Sequence, residues 1–183
     1  VLHSSVRSWI DAGSRKIRLW CAASSSGEEP YTISMTVLDA IGDCGVDFKL
    51  LATDISTRVL EKARLGQYES RVAQGIPREK LLKYFERKQD HDDVLWEATD
   101  AIKRPITFKR LNLSVPPFPM RGPLDAILCR NVMIYFDQPV RQRLIQEMER
   151  LLKPGGLLFI GHAETLTGIS CGLVKLSPSV YSK

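Results

Sequence analysis

With only three histidines and four cysteines in 183 residues, the chain is poor in the side chains that bind metals and form disulfide frameworks. Cys21, Cys44, Cys129 and Cys171 show no C-x-x-C pairing and no histidines at metal-ligand spacing. Reduced thiols and no metal centre are therefore expected. Cys21 and Cys129 fall in apolar runs, where cysteine acts as a small hydrophobe. No apolar stretch approaches the ~20 residues that cross a bilayer, and no signal-peptide pattern opens the chain. The expected setting is the cytoplasm, without membrane insertion. The first residue is Val1 rather than Met, so an N-terminal piece is expected to be missing. A nucleophile–base motif is also absent, and so is G-x-G-x-x-G, the dinucleotide-binding signature.

Charge does little to narrow the partners. The formal charge is +5. Its basic residues are dispersed among acidic ones, as in Arg71 to Arg87 and Arg141 to Lys153, rather than clustered. That excludes nucleic acid as an expected partner and leaves a solvated mixed surface. The 44% hydrophobic content suits one α/β domain with a real core.

Strand-like and helix-like segments alternate along most of the chain. Val1 to Ala12 reads as a helix, and residues 1–15 as a linker from the missing segment. Lys16 to Ala22 reads as a strand ending in the small-residue turn Ala23-Ser-Ser-Ser-Gly27. Pro30 then stands in the first turn of a helix whose apolar face is Ile33, Val37, Leu38 and Ile41. Phe48 to Thr53 is a second strand closed by Asp54. Ser56 can cap the next helix, and Gly66 stops it. Residues 67–105 break the alternation and read as a small inserted subdomain, with a short helix around Arg78 to Phe85 and a polar run from Lys88 to Asp93.

Regularity returns with the strand Ile106 to Leu111 and the nearly continuous apolar run Leu124 to Cys129, as in a strand buried on both faces. Asp137 caps a long helix with an apolar stripe of Val140, Leu144, Ile145, Met148, Leu151 and Leu152. Pro154-Gly155-Gly156 is expected to end that helix, ahead of the strand Leu157 to Ile160. A last antiparallel strand is expected around Ser179 to Tyr181. The whole predicts a mainly parallel sheet covered on both faces, with ligands bound beyond the carboxyl ends of its strands.

The residues at those strand ends suggest a ligand. Small residues after the first strand allow close approach to the backbone. Glu28 and Glu29 stand at a helix N-terminus, where the dipole already favours anions. One of them is free to hold a cationic ligand instead, and both would repel a pyrophosphate. Asp54 is placed for ribose hydroxyls, or as a local cap. Asn112-Leu113 offers a polar edge beside an apolar wall, suited to adenine, although Asn is also a turn residue. Arg130 directly follows a buried strand, which is costly unless the charge is paired or used. Asn131 comes next, with Tyr135 one helical turn further on. Together these describe adenine, ribose and a positively charged amino acid, which is S-adenosylmethionine.

The same residues resemble the CheR family of chemotaxis receptor methyltransferases. The resemblance is carried by Ala22-Ala-Ser-Ser-Ser-Gly-Glu-Glu-Pro-Tyr31, Ala52-Thr-Asp-Ile55, Leu60-Glu-Lys-Ala63 with Gly66-Gln-Tyr68, and Lys83-Tyr-Phe85. It continues through Asn112-Leu113, Cys129-Arg-Asn-Val-Met-Ile-Tyr-Phe-Asp137, Pro154-Gly-Gly156 and Gly161-His-Ala-Glu164. It implies a class I S-adenosylmethionine-dependent methyltransferase, a Rossmann-like α/β fold over residues 16–183. It implies methyl transfer from S-adenosylmethionine to receptor glutamates, with S-adenosylhomocysteine as product. Implied cofactor contacts are Ala22, Ala23, Ser24, Glu29 (amino group), Asp54 (ribose), Asn112 and Leu113 (adenine), Arg130 and Asn131. Arg130 and Tyr135 are implied to lie near the transferred methyl, while His162 and Glu164 are taken as structural.

The implied partner is the cytoplasmic helical domain of a chemotaxis receptor, met by a monomer. Glu86 to Asp100 contains no glycine, so docking to a receptor C-terminal peptide is not expected. Two alternatives remain open: a methyltransferase of this fold with another acceptor, and a non-catalytic S-adenosylmethionine-binding regulator. A nicotinamide-dependent oxidoreductase is disfavoured by the carboxylates beside the first loop.

Overall fold

A computed structural model describes residues 1–90 and 93–183. Helix α1 (Leu2–Asp11) buries Val6 and Ile10 against α2 (Glu28–Ile41), whose buried face includes Ile33 and Val37. Between them runs β1 (Lys16–Cys21). Next come β2 (Asp47–Asp54) and α3 (Thr57–Leu65). Ser56 caps α3 by accepting from Val59 N, and Gly66 ends it in the left-handed conformation at φ 63°. A Cβ at Gly66 would also meet the Tyr31 hydroxyl at 2.7 Å. Sterics thus require glycine there twice over.

The chain then leaves the main sheet. Strand β3 (Gln67–Glu69), helices α4 (Ser70–Ala73) and α5 (Arg78–Tyr84), and strands β4 (Phe85–Asp90) and β5 (Asp93–Ala98) build a three-stranded antiparallel sheet ordered β3-β5-β4. Tyr68 and Phe85 of this sheet, with Tyr84 at the end of α5, pack with Tyr31 and Met35 of α2. Lys88 to Asp90 of the polar run therefore form strand rather than loop, because β4 pairs along its whole length with β5. His91 and Asp92 lie outside the described residues. The short helix α6 (Asp100–Lys103) leads back to the main sheet.

There β6 (Ile106–Arg110), β7 (Leu124–Cys129), α7 (Gln138–Leu151), β8 (Leu152–Ile160), β9 (Val174–Ser177) and β10 (Val180–Ser182) complete the fold. The seven strands are ordered β6-β2-β1-β7-β8-β10-β9. β6, β2, β1, β7 and β8 are mutually parallel, and β10 runs antiparallel to β8. This is the α/β fold expected, including its antiparallel C-terminal strand; β9, beyond it, was not anticipated. Every residue of β7 is buried, as its unbroken apolar character requires.

Asp137 caps α7 through Val140 N, and Leu144, Ile145, Met148 and Leu151 face the core. The Pro154-Gly155-Gly156 turn does not end that helix as expected. The helix stops at Leu151, and Leu152 already pairs with Leu124 of β7. Pairing resumes only at Leu157 opposite Ala126, so the intervening residues form a bulge inside β8. No described helix is long and apolar enough to cross a membrane.

Candidate active site

β2 and β6 extend the sheet from one side of β1, and β7 and β8 from the other. The switch in direction therefore falls between β1 and β7, and a crevice opens beyond their carboxyl ends. It has two adjoining compartments, of about 220 and 480 Å³, both lined by Ala23, Asp54, Val132 and Tyr135. Leu111, Asn112, Leu113 and Phe136 make the smaller one mostly apolar. Ser24, Glu28, Glu29, Arg130 and Asn131 add polar and charged groups to the larger one. Ala22 lies at the base of the apolar compartment, fully buried. The structure thus gathers every site residue singled out in the sequence around one crevice.

The first loop is built rigidly. Thr53 Oγ1 accepts from Trp20 Nε1 and donates to Ala22 O, both at 2.9 Å, tying β1 to β2 beneath the loop. Ser24 N donates to Thr53 O at 2.8 Å. The Ser24 hydroxyl is buried with no partner among the described residues. Gly27 caps α2 at φ 101°, and a Cβ there would meet the Tyr68 hydroxyl at 2.7 Å.

Asp54 is braced on both oxygens. Its Oδ2 accepts from Ser25 N at 2.9 Å and its Oδ1 from Ser56 N at 3.0 Å. A half-exposed carboxylate with one backbone donor on each oxygen keeps further lone pairs for a ligand. Asn112 Oδ1 accepts from Ser114 N and Oγ, closing a local turn beside the buried Leu113.

Arg130 and Glu29 straddle the switch point and pair at 2.7 Å, with side chains 38% and 21% exposed. The charge after β7 is therefore balanced, by a residue 101 positions away. The second Glu29 oxygen faces Cys21 Sγ at 3.4 Å. Burial, and then the nearby Glu29 charge, push the Cys21 thiol well up, so it remains a neutral donor to that carboxylate. Its apolar setting in the sequence had concealed this polar contact. Burial likewise raises the Cys129 thiol, with Glu164 and Glu29 adding to the effect. The four cysteines are free. Among the described residues, no group of three or more His, Cys, Asp or Glu side chains could hold a metal.

Glu28 lines the larger compartment as well, but is exposed and accepts from Ser26 Oγ with both oxygens. Tyr135 is 78% exposed at the crevice mouth, at the end of a 3-10 turn spanning Met133–Tyr135. It does not follow Asn131 along an α-helix, because Asn131 adopts φ 57° and interrupts any helix there. His162 is exposed, whereas Glu164 is buried and accepts from backbone amides of the Asn131–Met133 segment. Only a contact distant in sequence reveals that role.

The crevice suits a cationic, phosphate-free nucleoside. One end has an apolar slot beside an amide side chain, the middle has a braced carboxylate, and the other end has a second carboxylate. The left-handed cap at Gly27 starts α2 beside two glutamates, so a pyrophosphate at that helix N-terminus would meet negative charge.

Comparison with known proteins agrees. The family model described as CheR methyltransferase, SAM binding domain, matches residues 1–178. A chemotaxis protein methyltransferase of Escherichia coli (strain K12) is 40% identical over 169 residues, which are 92% of this chain and 59% of that protein. One of Klebsiella aerogenes is 39% identical over 163 residues, covering 89% of this chain and 56% of that protein. Chemotaxis protein methyltransferase 2 of Pseudomonas aeruginosa is 38% identical over 168 residues, covering 92% and 60%. The chain spans less than two thirds of the length of these curated relatives.

Proposed function

The chain belongs to the CheR methyltransferase family, and from that premise we propose that it methylates glutamate side chains of chemotaxis receptors in the cytoplasm, using S-adenosylmethionine. The observation that carries this reading is the acid-walled crevice at the switch point, with Glu29 and Asp54 on its rim. In this assignment Glu29 takes the cofactor's amino group, Asp54 its ribose, and Asn112 with Leu113 its adenine. Ala22, Ala23 and Ser24 form the floor of the first loop, and Asn131 lies beside the amino-acid end. Residues 16–183 act as the catalytic domain, with α1 as a linker and residues 67–105 as an insertion.

Bound there, the cofactor supplies an activated methyl group. Its methyl would pass to an acceptor carboxylate oxygen, with the C–S electron pair leaving on sulfur. A glutamate acceptor is ionised at neutral pH, well above its ordinary pKa of ~4.3, so no general base is needed. The absence of a nucleophile–base motif fits that chemistry. What this chain supplies is alignment and exclusion of water. Arg130, held by Glu29, is placed to steer the incoming carboxylate, and Tyr135 to close the crevice mouth.

The acceptor is read as the helical cytoplasmic region of a receptor, met directly by a monomer. The segment between Glu86 and Asp100 has no glycine, so a receptor C-terminal peptide is not the expected tether.

Labelled methyl transfer from S-adenosylmethionine to receptor cytoplasmic fragments tests this reading. The product should release volatile methanol in alkali, as a methyl ester does. Alkali-stable label would point to a different acceptor group. Cofactor binding with no transfer to any fragment would point to the regulator reading. Tyr135→Phe and Arg130→Ala should each slow transfer; if both leave turnover and cofactor binding unchanged, the residue assignment is wrong.

A further inference from the structure

The turn after β8 brings a carboxylate back under the segment that carries the proposed catalytic residues. Glu164 Oε1 accepts from Val132 N at 3.0 Å and Met133 N at 2.8 Å. Its Oε2 accepts from Asn131 N at 3.0 Å and Gly161 N at 2.6 Å. Three consecutive amides point at one anion because Asn131 takes the left-handed conformation, at φ 57°, ahead of Val132. Successive amides in such a turn form a concavity that favours negative charge. Here the protein fills it with its own side chain.

Glu164 is 8% exposed, and a carboxylate in that position is tolerable only when hydrogen-bonded. These amides occupy all four of its acceptor sites. It therefore has no acceptor site left for a substrate cation. The fit is also sterically closed, because a Cβ at Gly161 would lie 2.6 Å from Asn131 Oδ1 and 2.7 Å from Glu164 Oε2. Gly161 and Glu164 thus form one clasp. The gripped residues lie between Arg130, which pairs with Glu29, and Tyr135 at the crevice mouth.

We propose that Glu164 is a positioning residue, whose carboxylate holds the Asn131–Met133 segment so that Arg130, Asn131 and Tyr135 face the crevice. This rests on the cofactor reading of that crevice. It assigns Glu164 a role in cofactor affinity and turnover without contact to either substrate.

The test uses the full-length protein with Glu164→Gln and Gly161→Ala, at temperatures where both show native near-ultraviolet circular dichroism. Without cofactor, the amides of 131–133 should exchange hydrogen faster in both variants. Affinity for S-adenosylhomocysteine and kcat should each fall roughly 10- to 100-fold, with KM for the acceptor unchanged. A folded variant with lower Tm but wild-type affinity and kcat would reduce the clasp to a stabilising contact and overturn the proposal. So would unchanged exchange at 131–133. Should Glu164→Gln fail to fold, Gly161→Ala carries the same readings. Wild-type protein that binds S-adenosylhomocysteine but methylates no receptor fragment would defeat the acceptor reading alone. The proposal would then stand or fall on the variants' affinities.

Discussion

Replacing Glu29 by Gln removes the carboxylate assigned to the cofactor's amino group and leaves Arg130 without its counter-charge. Unit charges ~4 Å apart near a protein surface interact by about 4 kcal/mol at an effective dielectric of ~20. Arg130 is 38% exposed and Glu29 21% exposed, so solvent screens part of that. What remains is comparable with a hydrogen bond to a charged group, about 1.5–3 kcal/mol. The unpaired Arg130 guanidinium would add repulsion toward a ligand ammonium. S-Adenosylhomocysteine should therefore bind roughly 10- to 150-fold more weakly to Glu29→Gln, read by titration calorimetry at low salt. Glu28→Gln is the comparison: Glu28 also lines the crevice, but its carboxylate is exposed and bonded by Ser26 Oγ, so the loss there should be smaller. The reasoning is refuted if Glu29→Gln binds like wild type, or if Glu28→Gln loses as much.

Other expectations follow from the same geometry. Asp54→Asn places an amide donor against Ser25 N or Ser56 N; it should cost about 1–3 kcal/mol in urea unfolding and weaken S-adenosylhomocysteine binding. Burial pushes Asp39 up, but hydrogen bonds from Lys83, Tyr84 and Lys80 outweigh it and hold the carboxyl well below the usual range. Because its folded pKa lies below the unfolded one, its contribution is full above the ordinary carboxylate pKa and fades as pH falls. Asp39→Asn should thus lose about 1–2 kcal/mol at pH 7, with the gap from wild type closing progressively below about pH 4. Gly27→Ala forces a side chain into φ 101° and against the Tyr68 hydroxyl; it should cost more than the roughly 1–2 kcal/mol of left-handed strain alone, measured by urea midpoint.

The parts of the fold legible in sequence are those with local causes. Ser56 and Gly66 bound α3 through its own caps, and Asp137 starts α7 the same way. The run Leu124 to Cys129 could be read as a strand buried on both faces because no charge interrupts it except Asp125. That residue is held by Arg18 N and Lys153 Nζ. The short strands β3, β4 and β5 were not legible individually. Phe-Glu-Arg-Lys-Gln-Asp is a poor strand sequence, and it becomes one by pairing with β5 while Phe85 packs under α2. The Pro-Gly-Gly turn misled for a related reason: helix termination and a bulge inside a strand use the same residues.

At the crevice, residue types at strand ends could be read directly, but their partners could not. The Arg130–Glu29 pair joins residues 101 positions apart, and the Glu164 clasp spans about thirty. Neither contact leaves a periodicity. Cys21 was the subtler case, since an apolar strand context hid a thiol facing the Glu29 carboxylate.

The most direct test of the central claim is a titration of the full-length protein with S-adenosylhomocysteine and, separately, with NAD. The account predicts saturable one-to-one binding of the former, weakened in Glu29→Gln by the factor given above, and no binding of the dinucleotide. Binding of NAD, or S-adenosylhomocysteine binding indifferent to Glu29, would contradict it.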